Sequence, residues 1–343
     1  MTVGNIKFQN AIKGIAQACP PVWFMRQAGR YHKHYQALRK QHDFITLCKN
    51  PELASEVALG PVQEFDFDVS ILFSDLLFPL EVMGMGLTYE PGPKLSFSLD
   101  EDGLRKFKDP AEAILGLEFQ REAMQLTRQK LPRGKSLIGF VGGLWTLFTY
   151  AVEGAHKGSL ESSKKNLRLY RHFCERMVPL LKMNIALQLQ GGAEVVMILD
   201  TSAGELDPDL FTDVVAPTLK VLTHAFPGRV GYYARGVQPA HYRDTVFRSN
   251  ELAGVGFDHR FDLRDVMSGN RFTQGLVQGN FDQALLFLAP EEFDERARKF
   301  LMGMKGLDEK TRAGWVCGLG HGVLPGTPEA NVKRFVEMVR EIF

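Results

Sequence analysis

Short apolar runs recur along the chain, and a polar or glycine-containing turn follows each of them. Eight runs have the length and composition of buried strands: Val22–Met25, Val69–Phe73, Ser136–Val141, Glu194–Leu199, Val230–Ala234, Gly254–Phe257, Gly275–Gln278 and Gly314–Cys317. Helical periodicity marks the longer stretches between them, notably Pro51–Glu64, Ala111–Gln129, Glu161–Leu189, Pro208–Ala225 and Pro290–Met304. Three of these stretches open with proline, which the first turn of a helix tolerates.

Strands that alternate with helices predict parallel βαβ units, and eight such units fit a closed (β/α)₈ barrel of the TIM type. A doubly wound open sheet is the alternative architecture. The 343 residues include no low-complexity segment or Pro/Ser-rich linker. The sequence therefore predicts an α/β protein in which residues 1–343 form a single barrel domain.

Composition narrows the class of protein and partner. Hydrophobic residues make up 45% and charged residues 24% of the chain, as expected for a globular protein with a large core. The formal net charge is +1, so no overall basic field favours nucleic acid or a membrane surface. The four cysteines are scattered, and the N-terminus lacks the apolar run of a signal peptide. We expect a reduced, cytoplasmic protein that acts on a small molecule.

In a barrel of this type, functional residues lie on the loops that follow the strands. The segment PVWFMRQAGRY, residues 21–31, places Arg26 and Arg30 four residues apart after the first apolar run. Guanidinium groups suit bidentate binding of carboxylate or phosphate. Ala28 and Gly29 between them leave room for close approach of a ligand. The alternative is that one arginine forms a structural ion pair and the other is solvated.

The segment ILFSDLLFP, residues 71–79, sets Asp75 among apolar residues. A buried carboxylate is costly unless it is paired or hydrogen-bonded. Asp75 is therefore either a cap of the helix that follows or a functional acid near the arginines.

Two further segments combine glycine with polar or aromatic residues. GFVGGLWTLFTYAVEG, residues 139–154, contains Tyr150, whose hydroxyl requires a partner when buried. GLGHG, residues 318–322, places His321 in a glycine loop after the last run. For metal binding, the sequence offers only His172 and Cys174 with the distant Cys317. Positions i and i+2 diverge around a helix, so we expect no metal there.

Together, PVWFMRQAGRY and GFVGGLWTLFTYAVEG resemble two signatures of the uroporphyrinogen decarboxylase family. FSDLL, the VQGN turn (Val277–Asn280) and LGHG match further blocks of that family in the same order. The resemblance implies a (β/α)₈ barrel, usually a homodimer, with a cleft at the carboxyl ends of the strands. It also implies conversion of uroporphyrinogen III to coproporphyrinogen III by loss of four acetate carboxylates, without a metal or organic cofactor.

Carried over by motif, the resemblance implies two catalytic residues, Asp75 and Arg26. The substrate-binding residues that it implies are Arg26, Gln27, Ala28, Gly29, Arg30, Asp75, Tyr150, Thr201 and His321. The chain departs from the family pattern at Leu144, Leu199, His259 and His32-Lys33-His34. None of these departures changes an implied catalytic residue.

Two other functions are consistent with parts of the pattern. A zinc-dependent methyltransferase would share the barrel but requires a convergent His/Cys ligand set. A non-catalytic paralogue would bind the tetrapyrrole without releasing carbon dioxide. Arg26, Arg30 and Asp75 together favour the decarboxylase over this second alternative.

Overall fold

The computed structural model describes residues 4–89, 92–156, 158–269 and 274–343. Its strands are β1 (Val69–Ile71), β2 (Thr88–Tyr89), β3 (Pro93–Lys94), β4 (Ser136–Gly142), β5 (Val196–Asp200), β6 (Val230–Ala234), β7 (Leu252–Gly256), β8 (Leu276–Phe281) and β9 (Trp315–Leu319). Seven of them form one curled parallel sheet in the order β1-β4-β5-β6-β7-β8-β9. The α/β class and the parallel pairing that the sequence predicts are confirmed.

Helices connect successive strands. They are α1 (Ile6–Ile12), α2 (Lys33–Gln41), α3 (Phe44–Lys49), α4 (Pro51–Phe65), α5 (Phe78–Leu80), α6 (Glu101–Arg105), α7 (Pro110–Ala113), α8 (Glu118–Lys130), α9 (Leu144–Glu153), α10 (Glu161–Lys165), α11 (Leu167–Gln190), α12 (Pro208–Ala225), α13 (Leu263–Ser268), α14 (Pro290–Lys305) and α15 (Glu329–Ile342). Among the described residues, every helix is too short or too polar to cross a lipid bilayer.

The predicted first strand, Val22–Met25, is not a regular strand, and this part of the prediction is wrong. Only Val22 forms a β-bridge, which is parallel and pairs it with Cys317 of β9. On its other side, the Val22 N–H donates to the Asp68 carboxylate at 2.7 Å and not to a backbone carbonyl. The Asp68 N–H donates to the Val22 carbonyl at 3.0 Å. A side chain therefore replaces one backbone acceptor of the ladder.

The inner face of the sheet carries an apolar cluster. Seven strand segments and the Trp23–Met25 region contribute to it. Its buried members at the sheet are Trp23, Met25, Val69, Ile71, Ile138, Val195, Met197, Leu199, Tyr233, Ala253, Leu276 and Val316. Because side chains alternate along a strand, the other face of each strand packs against the helices in a second, larger cluster. The inner face of the sheet is thus lined with packed apolar side chains.

Two long predicted helices are interrupted. The stretch predicted as one helix, Glu161–Leu189, forms two helices, α10 and α11. They are separated by Asn166, whose backbone is not helical at φ −109° and ψ 39°. The stretch predicted as Ala111–Gln129 contains a 3₁₀ turn at Ile114–Leu117. The short antiparallel hairpin of β2 and β3 was not predicted, since its two-residue strands carry no alternating pattern.

Candidate active site

Arg26 follows the bridged segment and begins the loop at the carboxyl end of the sheet. Its backbone is left-handed, with φ 58°, a conformation that residues with a Cβ rarely adopt. The aliphatic part of its side chain lies over Gly322, where an added Cβ would overlap Cδ and lie 2.7 Å from Cγ. The missing side chain at Gly322 therefore makes room for Arg26.

The charged and aromatic neighbours of Arg26 come from four separate parts of the chain. Desolvation lowers the pKa of its guanidinium from the ordinary value. Tyr150, Asp75 and Tyr233 lie within electrostatic reach and oppose this shift, whereas Arg30 adds to it. Arg26 and Arg30 are themselves solvent-exposed. The structure thus brings two guanidinium groups, a carboxylate and a phenol to one accessible place.

Asp75 lies just after β1 and serves as a local cap. Its Oδ1 accepts a hydrogen bond from the Leu77 N–H at 2.8 Å. Desolvation raises the pKa of the carboxyl, while the Leu77 N–H, the nearby Tyr89 hydroxyl and Arg26 act in the opposite direction. The capping and functional interpretations are compatible, because one carboxylate accepts the backbone donor and also lies near Arg26.

Tyr150 lies in α9, the helix that follows the glycines after β4. Burial raises the pKa of its phenol, with a further increase from Asp75 and a decrease from Arg26. The phenol therefore stays protonated and can donate a hydrogen bond to a carboxylate.

His321 contacts Tyr233 of β6. Its Nδ1 lies 3.0 Å from the Tyr233 hydroxyl, which donates to the Gly320 carbonyl at 2.8 Å. The two rings are stacked, with centroids 6.0 Å apart. Because the hydroxyl proton is committed to a carbonyl, Nδ1 is the donor and Nε2 is the acceptor of the neutral imidazole. Burial, followed by Arg26 and Arg235, lowers the pKa of His321 to about 3.

Four of the predicted site residues do not join this group through a described contact. Gln27 is fully buried, and its Nε2 donates to the Val69 carbonyl at 2.9 Å. Ala28 packs on a small apolar cluster, and Gly29 lies close to the Arg26 carbonyl. Thr201 is half-buried directly after β5. Gln27 therefore orients the arginine loop from inside the protein.

Three residues at the site were not among those predicted. Tyr233 orients His321, Tyr89 lies beside the Asp75 carboxylate, and Arg235 is within electrostatic reach of His321. Arg235 directly follows a predicted strand, so its position was a usable signal. The sequence carried no such signal for Tyr233 and Tyr89. Both lie in strands, and the face to which a strand side chain points depends on the register of the strand.

A cavity of about 840 Å³ lies between the loops that follow β6 and β7. It is lined by residues 236–239, 260–262, 265–266 and 268–269. The Gly236 N–H and the Arg260 guanidinium both contact the buried Asp258 carboxylate, which fixes the wall of the cavity. None of the nine predicted site residues lines it.

Comparison with known proteins identifies the family. The family described as "Uroporphyrinogen decarboxylase (URO-D)" matches residues 4–342. The chain belongs to the uroporphyrinogen decarboxylase family. A uroporphyrinogen decarboxylase of Nitratiruptor sp. is 35% identical over 339 residues, which covers 94% of this chain and 95% of that one. A uroporphyrinogen decarboxylase of Chlorobaculum parvum is 33% identical and covers 98% and 97% of the two chains.

Two solved structures share the fold of this chain at much lower sequence identity. A methyltransferase from Methanosarcina mazei superposes with a TM-score of 0.78 at 18% identity, over 98% of this chain and 97% of its own. A putative vitamin-B12-independent methionine synthase from Listeria monocytogenes gives a TM-score of 0.55 at 10% identity, over 96% and 98%. These likenesses show that the uroporphyrinogen decarboxylase family shares its fold with other proteins.

The lowered pKa of His321 predicts a pH-dependent contribution to stability. The unfolded chain takes up a proton at this residue below its ordinary pKa of 6.5, but the folded protein does not until about pH 3. Stability from the neutral imidazole is therefore complete above pH 6.5 and is lost as the pH falls. Between pH 7 and pH 5, the parent should lose about 2 kcal/mol more unfolding free energy than His321→Gln.

Reversible denaturant unfolding of both proteins at the two pH values measures this difference. His224→Gln is the matched control, because the His224 side chain is 82% exposed. Equal losses in the parent and in His321→Gln would show that His321 is not desolvated.

The contact between Gly322 and Arg26 predicts a site-specific effect of a single methyl group. Gly322→Ala should displace the Arg26 side chain and reduce kcat/KM of the family's decarboxylation about tenfold, which corresponds to roughly 1.4 kcal/mol. Thermal stability should change little, since the arginine is exposed and can move. Gly303→Ala in α14 is the control, because its Cβ would meet the nearest atom at an ordinary 3.6 Å. A Gly322→Ala variant with the parent's kcat/KM would contradict the placement of the Arg26 side chain over Gly322.

Proposed function

We propose that this protein converts uroporphyrinogen III to coproporphyrinogen III by removing four acetate carboxylates as carbon dioxide, in haem biosynthesis. Membership of the family supports the activity. The observation that carries the assignment of residues is the convergence of Arg26, Arg30, Asp75 and Tyr150 from distant parts of the sequence. A polyanionic ligand with N–H groups requires both signs of charge in one place.

We further propose that residues 1–343 form one closed eightfold barrel, with the Pro21–Trp23 segment in the eighth position. Hydrogen bonds from this segment to both Cys317 and Asp68 support the closure. The protein is proposed to work as a cytoplasmic homodimer, as the resemblance to the family implies. No nucleic acid, membrane or cofactor takes part in the proposed reaction.

Binding of the substrate carboxylates is assigned to the exposed guanidinium groups. Arg26 and Arg30 each offer a planar fork that matches a carboxylate in bidentate geometry. The protonated Tyr150 phenol donates to a further carboxylate, and Thr201 is assigned the same role from its place after β5. These contacts hold the macrocycle in one orientation and convert diffusion into proximity.

The substrate itself supplies the electron sink. Protonation of a pyrrole carbon next to the carbon that bears the acetate creates a cationic iminium system. The bond to the carboxylate then breaks, and its electron pair forms an exocyclic methylene as carbon dioxide leaves. A second proton converts the methylene to methyl, and loss of the first proton restores the pyrrole. One proton thus replaces each carbon dioxide, and no external oxidant or reductant is required.

Asp75 is assigned the stabilisation of this cation. Its carboxylate would accept hydrogen bonds from the pyrrole N–H groups, which are strongest when the ring carries positive charge. Such a preorganised contact in a desolvated site typically contributes about 3–4 kcal/mol. The raised pKa of Asp75 is consistent with a carboxylate that lacks a full complement of partners before the substrate binds.

The pKa directions of His321 and Arg26 bear on which group donates the proton. His321 is uncharged near neutral pH and stores no proton for the ring. Its free Nε2 accepts a hydrogen bond from an N–H or a protonated carboxyl, and it binds a carboxylate only after taking up a proton. Arg26 is the donor that the family resemblance implies, and desolvation lowers its pKa. A guanidinium is nevertheless a very weak acid, so a protonated substrate carboxyl or a water molecule is the chemically easier donor. The strain of the left-handed backbone at Arg26 marks it as a constrained residue.

The function is tested by anaerobic incubation with uroporphyrinogen III, without cofactor, and by counting carboxyl groups on the oxidised products. The parent should yield a product with four carboxyl groups. Asp75→Asn should lower kcat about 10²- to 10³-fold with little change in KM, because the lost contact acts in the transition state.

Asp109→Asn is the matched control for this substitution. Asp109 is exposed, and its Oδ1 accepts the Ala111 N–H at 2.8 Å, the same local geometry that Asp75 forms with Leu77. A product that keeps eight carboxyl groups in the parent indicates the non-catalytic alternative. Parent kcat in Asp75→Asn refutes the role assigned to that carboxylate.

Arg26→Lys should not preserve activity. A lysine ammonium keeps the charge but cannot form two parallel hydrogen bonds, and charged hydrogen bonds contribute about 1.5–3 kcal/mol each. Steady-state kcat/KM should fall between tenfold and a hundredfold. Arg105→Lys is the control, since Arg105 forms an exposed ion pair with Asp102 on α6. A lysine variant with the parent's kcat/KM shows that charge alone suffices.

A further inference from the structure

His32, Glu64 and Glu329 form a compact cluster that the proposed reaction does not use. One side-chain atom of each lies within 4.8 Å of the others, and no second cluster of three His, Cys, Asp or Glu side chains meets this condition among the described residues. His32 is the N-cap residue of α2, Glu64 lies in the last turn of α4, and Glu329 begins α15. The fold thus assembles three ligand types from distant elements.

The imidazole of His32 is held rigidly. It is fully buried, and its Nε2 lies 2.6 Å from Oε2 of Glu64. In the described part of the chain, its Nδ1 has no hydrogen-bond partner, so Nε2 is the nitrogen that the cluster engages. A Cβ on Gly60 of α4 would lie 3.2 Å from Cε1 of His32, so that glycine lets the ring pack against the helix.

The two carboxylates exceed the local positive charge that is fixed in place. Oε1 of Glu329 accepts the Lys33 N–H at 2.6 Å, while the Lys33 ammonium lies 3.6 Å from Oε2 and its side chain is 84% exposed. Because that side chain is exposed, its ammonium can be displaced without loss of a buried contact.

One imidazole nitrogen with two carboxylates is a ligand set that Zn²⁺ accepts, at about 2.0–2.2 Å from each ligand atom. In a tetrahedral site, adjacent ligand atoms are about 3.3 Å apart. The Nε2 to Oε2 separation must therefore open by less than about 1 Å, which the half-exposed Glu64 side chain permits. The cation would take the place of the direct contact between Nε2 and the Glu64 carboxylate.

We propose that His32, Glu64 and Glu329 bind a divalent cation of the zinc class, with water as the fourth ligand. The site joins α2, α4 and α15. It also tethers the arginine loop, because the His32 N–H donates to the Gly29 carbonyl at 3.0 Å. The cation has a structural role outside the chemistry of decarboxylation, and the inference does not depend on the proposed reaction.

The test uses the full chain without an affinity tag, stripped of metal by a chelator. Zn²⁺ is titrated by calorimetry, and Co²⁺ serves as an absorption probe of coordination. The expected result is one equivalent bound and a higher Tm. The Co²⁺ form should show the intense visible absorption of a four-coordinate site.

Glu64→Gln and Glu329→Gln should each weaken Zn²⁺ binding at least tenfold, because an amide is a poor ligand for this cation. Both positions tolerate the change, since Glu64 is 47% exposed and Glu329 lies at a helix start. Glu56→Gln is the matched control on the same helix, where Glu56 faces His34 at 3.6 Å, and it should bind as the parent does. Absence of stoichiometric binding, or equal affinity in all variants, overturns the proposal.

Discussion

The parallel pairing of Val22 with Cys317 is the interaction on which the candidate site depends. The Trp23 N–H donates to the Cys317 carbonyl, and the Cys317 N–H donates to the Pro21 carbonyl. Because the two segments run in the same direction, the residues that follow them emerge at the same edge of the sheet. Arg26 is consequently placed over Gly322, beside the loop that carries His321.

Desolvation shifts the pKa values of the ionisable groups at this edge of the sheet. Desolvation lowers the pKa of Arg26 and raises that of Asp75, so both charged forms are less stable at this edge than in water. A ligand that brings carboxylates to the guanidinium groups and N–H donors to the aspartate removes both costs together. The same electrostatic balance keeps His321 neutral and leaves Nε2 as an acceptor. The site is thus matched to a substrate that carries both kinds of group.

Local periodicity was sufficient to predict seven strands of the parallel sheet and the approximate extent of five long helical stretches. Position after a strand was sufficient to select Arg26, Arg30 and Asp75. The sequence was insufficient where the outcome depends on a distant partner. Val22 lost a regular ladder to the Asp68 side chain, and Gln27 turned inward, where its Nε2 donates to the Val69 carbonyl. The cluster at His32 includes Glu329, which lies 296 residues after Lys33 in the sequence and could not be paired with it by local pattern.

A structure of the protein with coproporphyrinogen, formed under anaerobic conditions, tests the central claim most directly. The account predicts pyrrole nitrogens within hydrogen-bond distance of the Asp75 carboxylate and propionate groups on Arg26 and Arg30. A macrocycle held instead in the cavity beside Arg260, with Arg26 and Asp75 free of contact, would contradict it.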